Sequence, residues 1–174
     1  ARSPGAKGTW QTPPVNVKWL ARLGSQTYGT PTIAGGRVLI GTNNGRPRNP
    51  RLTGDRLVLM CFSEADGRFL WQFASPTPFY HGQFSICGNL GICASAAMDD
   101  TRAYVVSSRC HLVCLDLNPL GTNPPTYPQE AQYLAQPLSE RFAMGKTGPQ
   151  VTLKPRAPVQ LTPQDANMVW VYDM

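Results

Sequence analysis

Short apolar runs and tight-turn signals alternate along this chain, and they do so twice in the same order. The first stretch, 30–41, places two short apolar runs around Gly35-Gly36, the pattern of a two-residue hairpin. Residues 56–73 continue it with an apolar run from Leu57 to Phe62, a polar turn, and an alternating segment. The run 57–62 has no polar position, which predicts a strand covered on both faces. In the alternating segment Phe69, Trp71 and Phe73 are predicted to share one face. The second stretch runs through 92–107 with a turn at Asp99-Asp100, continues at 111–118, and is completed late by 168–173. There Met168, Trp170 and Tyr172 are predicted to share a face.

Each unit therefore reads strand, turn, strand, loop, strand, turn, strand, and predicts a four-stranded antiparallel sheet. Trp19 precedes Thr30 as Trp71 precedes Ile92, so 16–20 reads as the outer strand of a preceding unit. Residues 119–164 interrupt the second unit. They are rich in Pro and polar residues, and only 129–135 predicts a helical turn or two, with Pro137 as a stop. A degenerate third unit would fit the doubled spacing between Trp71 and Trp170. Without an apolar strand pair around a tight turn, an insertion is the preferred reading. The organisation is a single domain over 1–174: outer strand plus first sheet at 16–73, second sheet at 92–118 and 165–174, and insertion 119–164.

Composition narrows the class. Of 174 residues, 16 are Gly and 17 Pro, and only 15% are charged, which excludes a long helical bundle. At 41% apolar, with no long uncharged apolar run, the chain can fill a core and carries no membrane span. The net charge of +6 is dispersed apart from Gly45 to Arg56, and no aromatic platform or nucleic-acid module accompanies it, so a nucleic-acid partner is not expected.

The segment Cys61-Phe-Ser-Glu-Ala-Asp-Gly-Arg-Phe-Leu-Trp71 resembles the blade signature of the PQQ-like (quinoprotein-like) β-propeller repeat family, with Gly67 and Trp71 at the family's spacing. In the second unit 114–118 matches the opening half and 165–170 the closing half, ending on Trp170, although Ala166 stands where the glycine is expected. The wording of 59–71 and 91–95 is similar to bacterial secreted members. The resemblance implies an all-β, partial β-propeller of about two blades and a periplasmic or extracellular location. Propellers close with about four to eight blades. The expectation is that this chain is the N-terminal part of a longer propeller, with a protein partner, the remaining blades or further copies covering its exposed blade faces.

In such a propeller the loops between second and third strands and the links between blades share one face. That face would gather Arg46, Arg48 and Arg51, the link residues Tyr80, His81 and Cys87, and the turn 107–110. These are the candidate loop-face binding residues. By strand direction Cys93 and Cys110 fall at one edge of the same hairpin. In the oxidising compartment that the resemblance implies, a Cys93–Cys110 disulfide is expected, with Cys87 as the competing partner. Cys61 and Cys114, on interior strands, are expected to be buried thiols.

No residue is assigned a catalytic, metal or cofactor role. The adjacent cysteines of PQQ-dependent alcohol dehydrogenases do not occur, C-x-x-C-H does not occur, and the cysteine spacings fit no zinc knuckle. There is no Gly-x-Ser-x-Gly, and Gly145-Lys-Thr147 lacks the upstream glycine of a phosphate loop. PQQ enters only through the family resemblance. Two functions from different classes follow: a non-catalytic propeller scaffold, or part of a periplasmic PQQ-type oxidoreductase whose catalytic residues lie outside this chain.

Overall fold

The computed structural model describes residues 15–77, 90–107, 109–122, 124–135 and 157–174. The first sheet has the order β1 (Thr32–Ala34), β2 (Arg37–Asn43), β3 (Arg56–Ser63), β4 (Phe69–Pro76), all neighbours antiparallel. The second repeats that order with β5 (Ala97–Met98), β6 (Arg102–Val106), β7 (His111–Asp116) and β8 (Asn167–Asp173). The chain is thus all-β among its described residues, apart from one short helix, α1 (Glu130–Ala135).

The same hairpin is closed by two chemistries. Between β1 and β2, Gly35 and Gly36 both take positive φ, 54° and 72°, the left-handed pair that a two-residue turn needs. Between β5 and β6, the Asp99 carboxylate accepts from the backbone N–H of Thr101 at 2.8 Å and of Arg102 at 2.7 Å. A short polar side chain here folds the backbone that glycine folds there.

The core lies between the sheets. Leu39, Leu59, Cys61, Trp71 and Phe73 of the first meet Ala103, Val105, Val113, Leu115 and Met168 of the second. The other face of the first sheet, Val38, Ile40, Val58, Met60 and Phe62, forms a second cluster under Trp19, Ala21, Leu23 and Leu52. Strand β3, buried along 56–62, therefore has apolar cover on both sides, as its unbroken apolar run requires.

A β-bulge corrects the predicted faces. Cys61 pairs with Trp71 and Phe62 with Phe69, so Leu70 is the extra residue; Cys114 pairs with Trp170 and Leu115 with Met168, so Val169 is. One extra residue shifts the alternation by one. Phe69 therefore joins the Phe62 cluster, away from Trp71, and Met168 enters the inter-sheet core, away from Trp170. Two further expectations need correction. Strand β5 spans two residues and begins after Cys93, because the preceding backbone crosses β2 in close contact, with the Ile92 N–H donating to the Thr42 carbonyl. The segment 16–20 forms no strand, although Trp19 docks on the first sheet.

The insertion leaves and returns at adjoining points. The Leu120 N–H donates to the Asp165 carbonyl and the Gly121 N–H to the Pro163 carbonyl, closing its base. Its return strip, 164–166, runs parallel beside β4: Gln72 donates to Gln164 and Ala166 to Gln72. Part of the first sheet's outer edge is thereby satisfied.

Candidate functional site

One indole contact recurs from each unit to the next. The Trp71 indole N–H donates to the Leu117 carbonyl at 2.9 Å, and the Trp19 indole N–H donates to the Glu64 carbonyl at 2.8 Å. Each acceptor lies three residues beyond a buried cysteine of a third strand, Cys114 and Cys61. Each donor thus reaches forward to the turn of the next sheet. Gly67 makes room for the first docking: its φ is 72°, and a side chain there would stand 2.5 Å from the Trp19 ring. Ala166, at the corresponding place before Trp170, has no such requirement, because the insertion replaces the turn.

Trp170 is the third tryptophan of this series. It pairs with Cys114 as Trp71 pairs with Cys61, so the row Tyr104–Cys114–Trp170 corresponds to Leu39–Cys61–Trp71. The first-sheet row faces the second sheet and Trp71 has no exposed surface. The equivalent row of the second sheet faces outward. Trp170 is 39% exposed, Val106 40% and Tyr172 63%. The rings of Tyr104 and Trp170 lie 6.1 Å apart, and the Trp170 N–H meets no acceptor among the described residues. An apolar face with an unused donor on its edge strand is suited to docking another sheet.

Of the expected loop-face residues, the arginines of the 45–56 loop lie among the described residues. Arg48 folds outward over the Phe69 ring, 4.9 Å from its centroid, and donates to the Arg22 carbonyl at 2.7 Å, pinning the Trp19 segment. Arg46 and Arg51 are exposed on the same loop. Tyr80, His81 and Cys87 lie outside the described residues. Cys93 and Cys110 are two exposed free thiols in this structure, and Cys110 has a φ of 57°. Cys61 and Cys114 are buried free thiols, and burial pushes Cys61 up to about 12.

Side chains that sequence reasoning did not single out organise the ground between the sheets and the insertion. Buried Arg56 donates to the carbonyls of Ala74 and Leu134, both at 3.0 Å. Buried Arg109 lies over the Tyr133 ring of α1. Asp165 accepts from Asn49 at 2.8 Å and from the Thr162 backbone at 2.7 Å. The Glu130 carboxyl accepts from the Met168 N–H at 3.0 Å through Oε2, and burial, reinforced by Asp165, raises it to about 8. His111 lies 3.7 Å from Asp173, and burial, outweighing that carboxylate, holds its ring below its ordinary value. No periodicity in 119–164 marks Glu130 or Tyr133, Asp165 reads only as the start of the closing half of the second unit, and no sequence signal distinguishes Arg56 or Arg109 from surface arginines.

This network is structural in form. Among the described residues no three His, Cys, Asp or Glu side chains converge as a metal site. No described helix is long and apolar enough to cross a membrane. Comparison of the sequence with protein-family models gives no match, and comparison with curated proteins gives none.

Proposed function

We propose that the chain is a non-catalytic β-propeller scaffold, a protein-interaction module of a bacterial envelope or extracellular assembly. The observation that carries the reading is the open outer face of the second sheet, where Trp170 stands exposed while its counterpart Trp71 is wholly buried. Repetition of strand order, bulge position and tryptophan docking supports stacked blades, and the resemblance of 61–71 to the PQQ-like repeat supports the propeller and its location. The working surface is the face Tyr104, Val106, Trp170 and Tyr172, which binds protein through apolar burial and one directed hydrogen bond. Function then resides in the face, with no bond made or broken.

Two measurements test this reading. The purified native protein should be colourless above the protein absorption band, and hydroxyl-radical footprinting of the monomer should oxidise Trp170 and Tyr172 far faster than Trp71. A stoichiometric chromophore, or a Trp170 as protected as Trp71, overturns it.

A further inference from the structure

We infer that the open face of the second sheet receives the first sheet of a second copy of this chain, head to tail, with Trp170 of one copy donating to the Glu64 carbonyl of the next in place of that copy's own Trp19. This rests on the docking reading above and names its occupant.

Three observations select that geometry. The donor series Trp19 and Trp71 uses acceptors Glu64 and Leu117, and Trp170 is the donor left over. A second copy carries an acceptor of the right kind, the Glu64 carbonyl, in a turn whose Gly67 already leaves space for an indole. The faces also correspond. Where Trp71 and Leu39 meet the aliphatic face of Ala103, Val105 and Val113, Trp170 and Tyr104 would meet the aliphatic face of Val38, Ile40 and Val58.

That second aliphatic face is covered by Leu52 and by residues 17–23, and the latter form no strand. Their hold on the first sheet includes the Trp19 indole bond and the Arg48 contact to the Arg22 carbonyl. Trp19 and Trp170 therefore compete for one carbonyl. A face-to-face pairing of two second sheets is disfavoured, because it brings together two indole donors and supplies neither with the carbonyl that the series uses. The contact is heterologous, and it closes into a ring where the rotation per copy divides a full turn.

The experiment is sedimentation velocity on the full chain over a range of concentrations, with Trp170→Ala, Trp170→Phe and Trp19→Ala, and circular dichroism as the check of folding. Wild type is expected to associate with rising concentration, Trp170→Ala to lose association by about tenfold or more, and Trp170→Phe to show the loss of the N–H alone should the alanine variant fail to fold. Trp19→Ala, which frees the Glu64 carbonyl, is expected to associate more tightly. Association that Trp170→Ala abolishes and Trp19→Ala leaves unchanged overturns the head-to-tail geometry. A wild type that stays monomeric with Trp170 open to hydroxyl radicals overturns the second copy as occupant and leaves the docking reading standing. A monomer with Trp170 protected removes both.

Discussion

Trp71 and Leu117 are joined by one buried hydrogen bond of 2.9 Å, from the outer strand of one sheet to the turn beyond the third strand of the next. It converts two similar sheets into a stack with one register, because the indole reaches its carbonyl only when the core rows interleave. Replacing Trp71 with Phe keeps most of the apolar area and leaves the Leu117 carbonyl unpaired, which should cost roughly 1 to 3 kcal/mol. Trp71→Ala adds a cavity and should cost about 3 to 5 kcal/mol. Urea unfolding of the two variants checks both figures. Equal losses would mean that packing alone, and not the bond, sets the register.

Gly67 and Ala166 test whether the two units need the same residue. Gly67 has a φ of 72° under the Trp19 ring, so Gly67→Ala combines a left-handed backbone with a displaced indole. A loss of about 1 to 2 kcal/mol is expected from the backbone alone, with Trp19 becoming more open to hydroxyl radicals. Ala166→Gly should lose only about 0.5 to 1 kcal/mol, through backbone entropy. Similar losses and similar Trp19 exposure in both variants would contradict the reading.

Glu130 makes stability depend on pH in a stated direction. Burial, with Asp165 adding to it, raises its carboxyl to about 8, whereas in the unfolded chain it titrates near 4.5. Between these values the folded chain holds a proton that unfolding releases, so stability falls as pH rises through that window and levels off above about 8. Glu130→Gln keeps a side-chain oxygen to accept from Met168 and removes the titration. The variant should gain on wild type by up to a few kcal/mol across the window. His111, held low by burial, acts oppositely at the acid end, so the difference between wild type and Glu130→Gln is the measure. Parallel pH profiles would show that Glu130 is not buried as a carboxylic acid.

The repeated sheets were legible because their signals are local. Gly35-Gly36 and Asp99-Asp100 mark the hairpins, and the apolar run 57–62 marks a strand covered on both sides. The bulges at Leu70 and Val169 were not legible, since nothing in either residue type announces an extra position. They move Phe69 and Met168 to faces opposite those that strict alternation assigns. Tryptophan spacing identified Trp19, Trp71 and Trp170 as equivalent, but their carbonyl partners depend on how one sheet stacks on the next. Glu130, Asp165, Arg56 and Arg109 depend on where an unpatterned insertion folds back. Arg46, Arg48 and Arg51 were legible as a basic loop, but the contacts of Arg48 to the Phe69 ring and the Arg22 carbonyl were not.

The cysteines give a final prediction that separates burial from redox state. Cys61 and Cys114 are enclosed within the sheets, and burial raises both thiols, Cys61 to about 12, so little thiolate forms near neutrality. Cys93 and Cys110 are exposed and free, the latter in a turn with a φ of 57°. Alkylation of the native chain at pH 8, read by peptide mass spectrometry, should label Cys93 and Cys110 fast. Cys61 and Cys114 should label only at the rate of unfolding. The same digest, repeated without prior reduction on protein from an oxidising compartment, reads the proposed Cys93–Cys110 bond directly. If the bond forms there, both residues label only after reductant is added, and their peptides migrate as one cross-linked mass. Their separate labelling in unreduced protein would leave them as free surface thiols, and fast labelling of Cys61 would contradict its place in the inter-sheet core.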